Sequence, residues 1–254
     1  MTRLQMDDVA LVRKLMTDAQ HDPIAGDARE AVCRALVSAF REAGSLLWMG
    51  GFLIGPDRVE GRSPFRFGSD STVGLAMVAQ IAGELVGGTV QLLESANSYA
   101  ACALLRQVVE VEYLAWAFAE DEAEAAAWLR ATREDRHRFW QPRHLRDRSK
   151  GKFRAADYGR HCEIGGHPSP EARVLLPDHS EQLPTAWWWL ELATHGLSTW
   201  EYVLEGTVRT GYGEAVRSVA SRHDIAKMAD SWRELDRLAF IARQAISGRP
   251  ATGA

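Results

Sequence analysis

Ser98-Tyr99-Ala100-Ala101-Cys102-Ala103-Leu104-Leu105-Arg106-Gln107-Val108-Val109-Glu110-Val111-Glu112-Tyr113-Leu114-Ala115-Trp116-Ala117-Phe118-Ala119 is the most informative run of this chain. Wound at 3.6 residues per turn, its apolar side chains surround the axis on every side, from Tyr99 and Leu104 to Trp116 and Phe118. A helix that is apolar all round belongs in the middle of a bundle. Working outward, the 3.6-residue period recurs almost throughout. It predicts helices over about Met6–Ala19, Asp27 to the glycines at 50 and 51, Thr72–Leu93, Asp121–Trp140 (stopped by Pro142), Phe153–Glu163, a turn or two after Pro168, Pro184 to beyond Val203, and His223–Ile246. Gly55 to Ser71 carries glycines, prolines and scattered charges and is expected to be a surface loop. No strand-type alternation persists, and no repeat of fixed period is present.

The 254 residues are 46% hydrophobic and 25% charged, an ordinary globular composition that excludes a disordered or disulfide-scaffold chain. The expectation is one all-α domain, a helical bundle of about eight or nine helices. Within it lie N-terminal helices over 1–50, a loop over 51–71, core helices over 72–140, a basic and histidine-bearing loop region over 141–183, and C-terminal helices over 184–246. Cys33, Cys102 and Cys162 form no C-x-x-C pair, and the N-terminus shows no apolar leader, so a reducing cytoplasm is expected. The longest apolar stretch, Val73–Leu93, is interrupted by Gln80, Glu84 and Gln91. A charge at mid-bilayer costs about 2.5–3.5 kcal/mol even on lenient scales, so this stretch reads as a buried helix and no membrane partner is expected.

Charge is uneven. From Arg130 to Arg160 eleven Lys/Arg face four acidic residues, whereas the whole chain carries −4. Arg136, Arg143, Arg146 and Lys150 in this segment are candidate phosphate contacts, through ion pairing and bidentate guanidinium bonds; a solvated, arginine-rich helix end accounts for them equally simply.

Two constellations carry chemistry. Arg106 and Glu110 lie one turn apart on the apolar helix and point the same way; they are either a site or an internal ion pair that fixes helix register. Glu112, well round the axis, is expected to meet solvent or a neighbouring cation. Glu84, flanked by glycines that permit close helix approach, is expected to be buried. The second constellation is Tyr158-Gly159-Arg160-His161-Cys162-Glu163-Ile164-Gly165-Gly166-His167-Pro168-Ser169-Pro170. Pro168 pushes His167 out of helical geometry, so a loop places its imidazole. Two histidines, a cysteine and a carboxylate in seven residues are zinc-type ligands, although no C-x-x-C or H-x3-H pair accompanies them.

The run Leu104-Leu105-Arg106-Gln107-Val108-Val109-Glu110, with Tyr158 and the His167-Pro168-Ser169 loop, resembles uncharacterised bacterial all-helical proteins related to the HEPN superfamily and to abortive-infection proteins. The resemblance covers about Val73 to Leu176. HEPN members that cut RNA carry an arginine, four to six residues, then a histidine, and Arg160 and His167 fit that pattern. The resemblance implies RNA or a nucleotide as partner, no cofactor, and a metal-independent ribonuclease in phage defence. His167 would act on the ribose 2′-hydroxyl, Arg160 would stabilise phosphorane charge, and His161, Arg106 and Glu110 would complete the site.

Two other classes compete. A carboxylate-bridged di-metal oxidase takes glutamates and Glu/His pairs from bundle helices, and Glu84, Glu110, Glu134-x-x-His137 and Glu191-x-x-x-His195 offer such ligands. A non-catalytic ligand-binding or interaction module would use the run Trp187-Trp188-Trp189, with Trp200, to line a pocket or a homodimer interface, or simply the core.

Overall fold

The computed structural model describes residues 23–53, 69–177 and 185–235, and all regular structure among them is helical. Four long helices make the frame: α1 (Pro23–Leu53), α2 (Asp70–Glu94), α3 (Ser98–Glu120) and α8 (Thr185–Arg209). Between α3 and α8 lie short pieces: α4 (Glu122–Arg130), α5 (Arg133–Phe139), α6 (Pro142–Arg148), α7 (Ala155–His161), a π-turn over Cys162–Gly166 and a 3-10 turn over Pro170–Leu175. Two amphipathic helices, α9 (Gly213–Arg222) and α10 (Ile225–Leu235), close the described chain. The helix expected over Met6–Ala19, most of the loop before Ser71, and the end of the last expected helix lie outside the described residues.

Local sequence accounts for the helix limits. Ser69 caps α2 by accepting from the Thr72 amide, Asn97 caps α3 through the Ala100 amide, and Asp121 caps α4 through the Ala123 amide. A single helix over Asp121–Trp140 is not what forms. The chain breaks at Ala131, and Thr132 caps a new helix, α5, by accepting from the Asp135 amide. Pro142 opens α6 at its first turn instead of merely ending what precedes it. The stretch expected as a basic loop region therefore carries α6, α7 and two further turns.

Neighbouring contacts give the helix directions. Ser69 N–H donates to Gly51 O at 2.6 Å and Arg34 pairs with Glu94 at 3.0 Å, so α1 and α2 are antiparallel. Ala96, at φ 59°, makes the tight turn that folds α3 back on α2. Cys33 lies at the Trp189 carbonyl and the Phe40 ring meets Trp200 at 5.3 Å, so α8 runs parallel to α1. It also runs parallel to α3: Glu112 meets His195, and Glu120 O accepts from Arg209. Three helices alternate, and the fourth repeats the direction of the third.

A parallel neighbour requires the chain to travel back, and the crossover does so along α3. Ala125 of α4 packs on Gly74 at the start of α2, and Arg130 pairs with the buried Asp70 at 2.6 Å. Phe153 then stacks on Tyr113 at 4.0 Å, Tyr158 bonds Glu110, and Gly165 seats on Cys102. The four frame helices share one apolar cluster that includes Leu36, Phe40, Leu75, Val86, Leu105, Val109, Phe118, Leu192 and Trp200. α2 is long and apolar enough to cross a membrane by length and composition, and 67% of that window is buried inside the bundle. Cys33 and Cys102 are buried among these apolar residues, as expected of cysteines acting as small hydrophobes.

Candidate metal centre

Where the crossover lies over the seam between α3 and α8, four ionisable side chains meet out of solvent. α3 supplies Glu112, α8 supplies Glu191 and His195 one turn apart, and α7 ends on His161; all four residues are buried. His195 Nδ1 and Glu112 Oε2 are 2.6 Å apart. On the far edge of the ring, His195 Nε2 lies 3.5 Å from Glu191 Oε2, and His161 Nε2 lies 3.6 Å from the same oxygen. The two imidazoles are nearly perpendicular, 5.3 Å between centroids. Glu191 Oε1 accepts from Arg160 at 3.0 Å, and that guanidinium also lies over Trp187 at 5.7 Å.

Electrostatics here follow from burial and pairing together. Burial works against a charged His195, but Glu112 and Glu191 outweigh it and hold the imidazole pKa well above its ordinary value. Burial likewise opposes ionisation of Glu191, yet the hydrogen bond from His195 and the charges of His195, His161 and Arg160 bring its carboxyl below the usual range. The seam thus keeps its carboxylate ionised in a place where an isolated charge would cost several kcal/mol.

The donor geometry suits a cation. One nitrogen from each of His161 and His195 and one oxygen of Glu191 lie within 4.8 Å of one another, and among the described residues this is the group of three positioned to share an ion. Bonds of about 2.0–2.2 Å to a tetrahedral ion separate its donors by about 3.3–3.6 Å, which is where the 3.5 and 3.6 Å separations fall. Glu112 meets the remote nitrogen of His195, the place from which a carboxylate would fix the tautomer and ring orientation of a histidine holding an ion.

The expected site residues divide. His161, Glu191 and His195 come together, with Arg160 on the rim. Arg106 and Glu110 do form the expected ion pair, at 3.1 Å, but with side chains 26% and 30% exposed it is a half-buried pair. It is joined by the Tyr158 hydroxyl, which donates to Glu110 at 2.7 Å, and not by His161. His167 is exposed in the coil beyond the π-turn. Glu84 corrects the expectation of burial: its side chain is 73% exposed and pairs with Arg41 at the rim of α1 and α2. The neighbouring glycines do admit close approach, since Gly83 faces Phe40 and Gly87 faces Val37, but Glu84 points elsewhere. Glu134 and His137 are exposed on α5. Of the six ligands considered for a di-metal site, Glu191 and His195 meet, whereas Glu84 and Glu110 are engaged elsewhere and Glu134 and His137 are exposed.

In the basic segment, Arg136 donates to Ala131 O, Arg143 to His144, and Arg146 lies 3.9 Å from Asp147; Lys150 is exposed. Trp188, Trp189 and Trp200 belong to the core cluster, and Trp187 is half-buried beneath Arg160. Trp189 also lines a cavity of about 460 Å3 at the end of the bundle, with Gly26, Arg29 and Thr185.

Glu112 is the member of the buried cluster that its sequence position conceals. Of the two partners expected for it, solvent or a neighbouring cation, it has the second, the imidazole of a residue 83 positions away whose pKa is raised well above its ordinary value. The available signal was the helix itself: on a rod buried all round, a carboxylate well round from Glu110 faces another packed seam. No family model matches the chain, and neither the curated proteins nor the solved structures yield a significant match.

Proposed function

We propose that this protein is a metal-dependent helical-bundle enzyme whose centre is a single divalent transition-metal ion held by His161 Nε2, His195 Nε2 and Glu191 Oε2. The observation that carries the reading is the convergence of two imidazole nitrogens and one carboxylate oxygen, all on buried residues and within 4.8 Å of one another. Three protein ligands leave one position for water or substrate, the pattern of catalytic rather than structural sites. When bound, such an ion supplies Lewis acidity and lowers the pKa of its water to about 7, which serves hydrolysis or transfer at a carbonyl or phosphoryl centre. Glu112 holds the His195 ring for that task. Arg160 occupies the second oxygen of Glu191 and leaves the first to face the imidazoles. Four such residues suit one ion better than the two of a carboxylate-bridged oxidase.

The test is direct. Protein stripped with EDTA and titrated with Zn2+ or Co2+ in a calorimeter should bind one ion per chain. Loss of an orienting outer carboxylate weakens metal affinity about 10–100-fold in comparable sites, and loss of a ligand in His195→Ala should weaken it further still. Two ions per chain would favour the di-metal reading, and absence of binding would overturn the metal reading altogether. RNA cleavage that survives EDTA and disappears in His167→Ala would instead support the ribonuclease implied by the HEPN resemblance.

A further inference from the structure

The centre takes two of its ligands from a frame helix and the third from the crossover. α7, which ends on His161, has seven residues. A helix shorter than about 12–15 residues is marginal in water by itself, so contacts with α3 must hold it where it is. Tyr158 lies three residues before His161, on the same side of α7. Its hydroxyl donates to Glu110 Oε1 at 2.7 Å, the oxygen that Arg106 Nη1 also approaches at 3.1 Å. The Tyr158 ring is 6.0 Å from Tyr113, which in turn stacks on Phe153 just ahead of α7. Immediately after His161, the Cys162 thiol lies against the Arg106 guanidinium and the Tyr158 hydroxyl. The π-turn then seats Gly165 so closely on α3 that an added Cβ would stand 2.5 Å from Cys102 Cβ. His161 is thus bracketed by a hydrogen-bonded anchor on one side and a backbone-close anchor on the other.

Resting on the metal reading above, we infer that Tyr158 and Glu110 are positioning residues for the metal. Their hydrogen bond docks α7 on α3 and thereby holds His161 Nε2 at the spacing the ion requires. In this account Arg106 keeps Glu110 aimed at Tyr158, so the half-buried cluster and the buried centre are one device connected through a single helical turn. Neither residue touches the ion.

Cobalt titration of the full chain tests this, because the visible absorption of Co2+ reports both affinity and coordination geometry. Tyr158→Phe, which removes one oxygen and keeps the ring, should raise the cobalt Kd about tenfold and weaken the tetrahedral absorption bands, with far-UV circular dichroism unchanged. Glu110→Gln, which retains an acceptor for the hydroxyl, should recover most of the affinity that Glu110→Ala loses. A merely structural anchor would lower thermal stability and leave the cobalt spectrum of the folded fraction as in the wild type. Variants that bind cobalt with unchanged Kd and spectrum overturn the inference while leaving the metal reading intact; a wild-type protein that binds none overturns that reading, and the inference with it.

Discussion

The α1–α2 seam and the α3–α8 seam are both built from long helices with apolar faces, yet they place their ion pairs differently. Along α1 and α2, Gly44 lies against Gln80, Gly83 against Phe40 and Gly87 against Val37. Glycine lets the two backbones approach closely there, and the ion pairs Arg41–Glu84 and Arg34–Glu94 lie on the exposed rim. α3 contains no glycine from Ser98 to Glu120. The seam of α3 with α8 admits Glu112, Glu191 and His195, roofed by His161 from the crossover.

The comparison can be broken most forcefully at Glu112. Glu112→Ala leaves a buried imidazole without its carboxylate, and removal of one partner from a buried ion pair costs about 3–5 kcal/mol. Urea denaturation of the metal-free protein should show that loss as an earlier midpoint with an unchanged slope. A smaller effect is expected in the other seam. Gly44→Val forces a branched side chain against Gln80, where even a Cβ would sit 2.6 Å from its Cγ and 3.1 Å from its backbone nitrogen. Overpacking of this kind costs about 1–3 kcal/mol, measurable by the same titration. The smallest effect belongs to Glu84→Gln. The pair with Arg41 is exposed, and such pairs contribute at most about 1 kcal/mol, so the midpoint should hardly move. A large loss there would mean that rim charges matter to this bundle and that the contrast between the seams is wrong.

Much of the architecture was legible because it depends on local pattern. The long helices follow from a 3.6-residue apolar period, and the observed limits of α2 and α3 differ from the expected ones by one or two residues. The break inside Asp121–Trp140 was also written locally, as Thr132 followed at the third position by Asp135, but continuing periodicity masked it. The site was only half legible. Glu191 and His195 are one turn apart on one helix, so their spacing could be read directly. His161 lies 34 positions before His195, and its arrival depends on where the π-turn settles on Cys102, which no local pattern records. Glu84 lies outside the seam: glycines next to a residue reveal which side of the helix is close-packed, not that the residue itself lies on that side.

The parallel pairing of α3 and α8 has a consequence for the order in which the protein is made. Glu112 leaves the ribosome 83 residues ahead of His195. At synthesis rates of about 5–20 residues per second, that is a wait of about 4–17 s. Throughout that interval the first three helices can fold against one another while one flank of α3 lacks its cover. The nascent chain therefore offers a sticky flank bearing an unpaired acid, and this is the window in which a holding chaperone would have most to protect.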